Sequence, residues 1–268
     1  MVFLERLYDL RERGPARSSG RHADNVTARA NDQRSGDRAF AAAAALGPFF
    51  QVAARPGPDW ISWAALSGDR QPLRRRIDEV HAILAAGPGS PQVEPAVVAS
   101  LVHLGLVARL VSPPLGAALL AGVLPVTPIE FVHIRLAGEN PLPLAVGAAS
   151  PTEIGSAADL AATFDDSWLV PGVEPLTRSV SDGWSVSRQV LDGNVTSAVA
   201  GALRMAAAAR PEMTARANAA LEAFLQSGSL AGSGRRREDG SFVRRSCCLY
   251  YRLPGAGTCG DCILDDRA

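Results

Sequence analysis

Every cysteine of the 268-residue chain lies within one short stretch near its end, as Cys247, Cys248, Cys259 and Cys262, a C-C-x10-C-x2-C spacing. Cysteines used as ordinary small core residues scatter along a chain, so four thiols gathered this way act together. Three chemistries compete for them. A structural zinc site needs four thiolates about 2.3 Å from one ion, usually from two C-x2-C knuckles. Only Cys259 and Cys262 form such a knuckle; Cys247 and Cys248 are adjacent, with Cα atoms about 3.8 Å apart and no spacer between them. Two disulfides would need an oxidising compartment, and a bond between neighbouring cysteines closes a strained ring. A 2Fe-2S cluster takes four thiolates spread over two irons, a wider target that an adjacent pair and a separated pair can share.

The surrounding residues narrow the field. Arg244-Arg245-x-Cys247-Cys248-Leu249-Tyr250-Tyr251-Arg252, then Pro254-Gly255, then Cys259-Gly260-Asp261-Cys262, closely resembles the C-terminal signature of the FhuF-like ferric siderophore reductases. Leu191-Asp192-Gly193-Asn194-Val195 is similar to the opening of a long helix in that family, with Asp192 where the family usually has Trp. The resemblance implies that all four cysteines ligate a 2Fe-2S cluster. It also implies one-electron reduction of a ferric, hydroxamate-type siderophore, with release of Fe(II). Arg244, Arg245 and Arg252 are expected to stabilise the more negative, reduced cluster. Outer-sphere transfer needs no acid-base dyad, and no catalytic residue beyond the cluster ligands is expected. Two readings from other classes stand beside this one: a helical interaction protein with a zinc-stapled tail, and a plain electron carrier.

Composition sets outer bounds. The chain is 47 % hydrophobic and 20 % charged, which reads as globular. Its 27 basic residues, all arginine, balance 27 acidic ones, so no global field draws it to nucleic acid. The beginning of the sequence has no apolar signal core, which predicts a cytoplasmic protein, with peripheral contact at the inner membrane face allowed. The most apolar window, Leu104 to Val126, contains Arg109 and Pro113-Pro114 and is expected to fall short of a spanning helix. Gly255 to Gly260 satisfies G-x-G-x-x-G literally, but without a following helix the fingerprint has no βαβ context. Electrons must then come from a separate ferredoxin-like or flavoprotein donor.

Hydrophobic periodicity predicts a mainly α fold with a small β-hairpin, an α+β helical body carrying a short C-terminal cluster module. Residues 1–38 are expected to be a largely disordered extension, 39–226 the helical body, 227–240 a flexible linker and 241–268 the cluster module. Helices are expected over Asp37–Leu46, around Leu73–Leu84, Val97–Val111, 156–164, 172–181, Ser187–Ala208 and up to Leu225. Phe49-Phe50-Gln51-Val52 reads as a short strand, and Trp60 and Trp63 as one helical face behind Asp59. Phe131–Leu136 and Leu142–Val146 read as the hairpin. Arg74, Arg75 and Arg76 are expected in solvent. His81 and His103 are expected to be hydrogen-bonded structural residues.

Overall fold

A computed structural model describes residues 35–86 and 93–265. Of the extension 1–38 expected to be largely disordered, residues 1–34 lie outside these, and its last four open helix α1 (35–43). Gly87-Pro88-Gly89, expected from the sequence to end the helix around Leu73–Leu84, also lies outside the described residues.

The body is built around one helix, α4 (Pro95–Ala121). Pro95 starts it where a missing N–H costs nothing, and Gly122 ends it in the left-handed conformation, its N–H reaching the Ala118 carbonyl. The expected end near Val111 is wrong: the helix continues through Pro113 and Pro114. Packing explains this, because the residues from Leu110 to Leu119 are all buried and tertiary contacts override the local penalty of proline. Gly116 allows the closest approach; a Cβ there would lie 2.5 Å from the Phe50 ring. The helix is thus long and apolar enough to cross a membrane on length and composition alone, yet 67 % of its most apolar window is buried inside the body. Its one charge, Arg109, is buried too. The guanidinium donates to the carbonyls of Phe49 (2.9 Å), Gln51 and Leu142, which pins the preceding turn and the hairpin loop to the helix.

Against α4 pack α7 (Arg188–Ala209), α6 (Glu174–Trp184) and α3 (Arg70–Leu84). Further out lie α5 (Ala157–Phe164), α8 (Thr214–Gln226) and the short α2 (Trp63–Gly68). The expected helices are present within a few residues, although Asp165–Val173 is a π-type stretch that joins α5 to α6 without a break. The hairpin is also present, as β3 (Val132–Ile134) and β4 (Leu144–Val146), paired antiparallel with His133 opposite Ala145. Strand β1 (Ile61–Ser62) adds to its other edge. A second pair, β2 (Val123–Val126) with β5 (Ser150–Glu153), escaped the sequence reading because Pro125 and Pro151 sit inside it.

Three local expectations need correction. Pro48–Phe50 is a 3-10 turn, since Pro48 fixes the turn and Phe50 is drawn onto Gly116. Trp60 precedes the helix that Trp63 opens, so the two share no helical face; Ser62, not Asp59, caps it by accepting from the Ala65 amide. Arg74 and Arg75 are exposed, but Arg76 is buried beside Glu79 at 3.6 Å. Both histidines are hydrogen-bonded: His81 Nε2 to the Val93 carbonyl at 2.9 Å, and His103 Nε2 to Thr177 Oγ1 at 3.0 Å. His103 is fully buried, and desolvation lowers its pKa to about 3.

The residues expected as a linker are folded. After a 3-10 turn at Gly228–Leu230, β6 (Gly234–Arg236) pairs antiparallel with β7 (Phe242–Arg244). A Ser/Gly/Arg composition reads as solvated coil, but Gly234 leaves room for the Phe242 ring, which would stand 2.3 Å from a Cβ there. Phe242 and Val243 are buried, and their burial fixes the hairpin.

Candidate metal centre

Beyond β7 the chain carries the two cysteine pairs on two tight turns. Leu249, directly after Cys247 and Cys248, adopts φ +69°, a left-handed conformation that a branched side chain rarely takes and that marks a constrained site. That twist turns successive amides back on the pair: Leu249 N–H donates to Cys247 Sγ at 3.3 Å and Tyr250 N–H to Cys248 Sγ. The second pair repeats the arrangement. Asp261 N–H reaches Cys259 Sγ, Leu264 N–H reaches Cys262 Sγ at 3.3 Å, and Cys262 N–H closes the turn on the Cys259 carbonyl at 3.1 Å. All four sulfurs therefore accept an amide from two residues on, which favours thiolate over thiol.

The pairs differ in burial within themselves. Cys248 and Cys262 are each 2 % exposed, whereas Cys247 and Cys259 are half-buried. Across the pairs, Cys248 and Cys259 share a hydrogen bond, which lowers the Cys248 pKa to about 6 and holds the proton on Cys259, whose pKa rises. Burial raises the Cys247 thiol. Among the described residues no three His, Cys, Asp or Glu side chains are gathered as a single ion requires.

Below the thiols lies a buried cation. Arg244 is 1 % exposed, and its Nη2 donates to Asn194 Oδ1 at 2.7 Å and to the Val190 carbonyl at 3.0 Å, both on α7. Asn194 Nδ2 in turn donates to the Ser100 carbonyl (2.9 Å) and Oγ (3.0 Å) on α4. Ser100 Oγ donates to the Cys248 carbonyl at 2.9 Å. One polar chain thus runs from the arginine through both central helices to a cysteine backbone, and Arg244 N–H meets the Asp261 carbonyl at 3.2 Å on the other turn. Gly193 makes the seam close enough: a Cβ there would lie 2.1 Å from Ser246 Oγ and 2.8 Å from Arg244 Nη2. Arg244 Nε and Ser246 Oγ are buried without a hydrogen-bond partner. The other two arginines are peripheral. Arg245 is exposed, and Arg252 lies on the surface, 3.0 Å from Glu94 and against the Tyr251 ring.

Four free thiols with amide donors suit soft thiolate-ligated iron, and the buried guanidinium supplies positive charge beside them. Residues 244–262 match the FhuF 2Fe-2S C-terminal domain. The cofactor of this FhuF-type module is a 2Fe-2S cluster, and the chain is like a ferric siderophore reductase in carrying it. The match supports a 2Fe-2S cluster over the zinc and disulfide readings. No curated protein matches the chain.

Sequence reasoning missed Ser100 as part of this site, and nothing in an apolar helix marks one serine out. Asn194 and Gly193 had a signal, the Leu191–Val195 resemblance, but only the structure gives them work: Asn194 holds Arg244, and Gly193 leaves it room. Asp192 instead pairs with Arg188 at 2.8 Å. A cavity of about 220 Å³ adjoins the Cys259–Cys262 turn, lined by Leu203, Arg204, Leu221, Phe242, Gly260 and Asp261.

Proposed function

We propose that the protein is a cytoplasmic ferric siderophore reductase in which Cys247, Cys248, Cys259 and Cys262 all ligate the cluster, and that its substrate is a ferric hydroxamate chelate. The observation that carries the reading is the FhuF-domain match falling on a module whose four sulfurs each accept a backbone amide, with Cys248 hydrogen-bonded to Cys259 across the pairs. The bound cluster supplies one electron at a time, the stoichiometry of Fe(III) to Fe(II). Hard hydroxamate oxygens hold Fe(III) tightly and Fe(II) poorly, so one electron frees the metal. The protein's residues shape access. Cys247 and Cys259 bring the site to the surface, beside the exposed Tyr250 and Tyr251, while Cys248, Cys262 and Arg244 close its inner side. The adjoining cavity is smaller than the roughly 300 Å³ at which ligand clefts begin. The chelate meets the module on this exposed side, where Cys247 and Cys259 come to the surface. A separate electron-donor protein reloads the centre.

The test is to reduce the holoprotein anaerobically, add a ferric hydroxamate and a ferrous trap, and follow reoxidation. One Fe(II) trapped per cluster oxidised, faster than with the free reductant, is expected. Reoxidation by a ferredoxin but by no ferric chelate would leave the plain electron carrier as the better description.

A further inference from the structure

We infer that Arg244 is the buried counter-cation of the cluster, held in place by Asn194, and that its charge raises the cluster's reduction potential while the exposed Arg245 and Arg252 contribute little. The inference rests on the four-cysteine ligation proposed above. A guanidinium that is 1 % exposed has lost its hydration, and a buried charge of this kind is strongly unfavourable unless an opposite charge lies nearby. None of the partners of Arg244 supplies one by contact. Its Nη2 meets two neutral oxygens, on Asn194 and Val190, and its Nε meets nothing. The Asp261 carboxylate makes its ion pair with Arg204, at 3.6 Å, and not with Arg244. The groups that act on the guanidinium from a distance are, in order, the sulfurs of Cys248, Cys259 and Cys247 and then the Asp261 carboxylate, so three of the four are cysteines of the module.

Position is as informative as charge. Asn194 is fully buried and uses its amide in both directions, accepting from Arg244 and donating to Ser100, so the guanidinium cannot drift toward solvent. Four thiolates and two sulfides on two ferric ions make a dianion, and reduction adds one more negative charge. A fixed cation in a low-dielectric setting favours the added electron, and it acts more strongly than an exposed arginine screened by water. Arg252 spends its charge on Glu94.

The experiment measures the midpoint potential of the holoprotein, with iron and sulfide content, for the natural protein, Arg244→Gln, Arg244→Lys and Arg245→Gln. Arg244→Gln should disfavour reduction by at least about tenfold, equivalent to about 59 mV at one electron. Arg244→Lys should recover most of that, because it restores charge without the planar fork. Arg245→Gln should stay within about threefold of the natural protein. An unchanged midpoint in an Arg244→Gln protein with full iron and sulfide overturns the inference, as does an equal shift from Arg245→Gln. If Arg244→Gln does not hold the cluster, assembly becomes the readout, with Arg244→Lys compared against Arg244→Met. A filled Lys variant and an empty Met variant support the counter-cation; equal contents overturn it. A natural protein that binds no 2Fe-2S cluster would instead sink the ligation proposal beneath it, which separates the two failures.

Discussion

At the scale of single residues, the four cysteines carry the sharpest expectation. Replacing any one by Ser should bleach the visible spectrum and lower iron and sulfide together; full iron and sulfide in Cys247→Ser would remove that residue from the ligand set. His103 gives a second prediction, about stability. Its folded pKa is near 3 against 6.5 for the free group, through burial first and the charges of Arg188 and Arg244 after it. Between those values the unfolded chain binds a proton that the folded chain refuses, so stability is complete above pH 6.5 and falls as the pH drops toward 3. The slope is about 1.4 kcal/mol per pH unit. His103→Gln should therefore flatten the acid side of the stability curve, by about 2 kcal/mol at pH 5 on that slope, as read by urea unfolding of the two proteins in parallel. The cysteines were legible because vicinal spacing is unusual chemistry. Arg244 was not separable from Arg245 and Arg252, since a guanidinium's effect depends on burial and the sequence shows three alike.

At the scale of elements, the seam between α7 and β7 and the pin between α4 and the hairpin loop can each be tested by one substitution. Ala is the better helix former by about 1 kcal/mol, so on propensity alone Gly193→Ala should stabilise α7. Its Cβ would intrude on Ser246 and Arg244, and overpacking of this kind costs about 1–3 kcal/mol. The net expectation is a loss of stability with weaker cluster retention; a stabilised protein with full iron would show that the seam can give. Arg109→Leu should cost about 2 kcal/mol or more, because it strips the buried Leu142 carbonyl and the part-buried Phe49 and Gln51 carbonyls of their donor. Chemical denaturation of the variant checks it. Helices were legible here through apolar periodicity. The run through Pro113-Pro114 was not, because local rules weigh a proline's lost amide and cannot weigh the burial that compensates it.

At the scale of the whole molecule, the module is part of the body and not a tethered appendage. Residues 227–240 looked like a spacer because Gly, Ser and Arg give no periodic signal, and the contacts that order them come from Phe242 and from Arg237, whose Nη2 reaches the Cys262 carbonyl at 3.2 Å. Trypsin should accordingly spare the bonds after Arg235, Arg236 and Arg237 in the native holoprotein; rapid cleavage there would restore the flexible tether. The polar chain from Ser100 through Asn194 to Arg244 has an experimental consequence as well. Because α4 and α7 meet the cysteines through three consecutive hydrogen bonds, the pigment is wired to the middle of the hydrophobic interior and serves as a built-in gauge of it. On slow anaerobic heating, loss of colour and loss of helical circular dichroism should superimpose as a single transition.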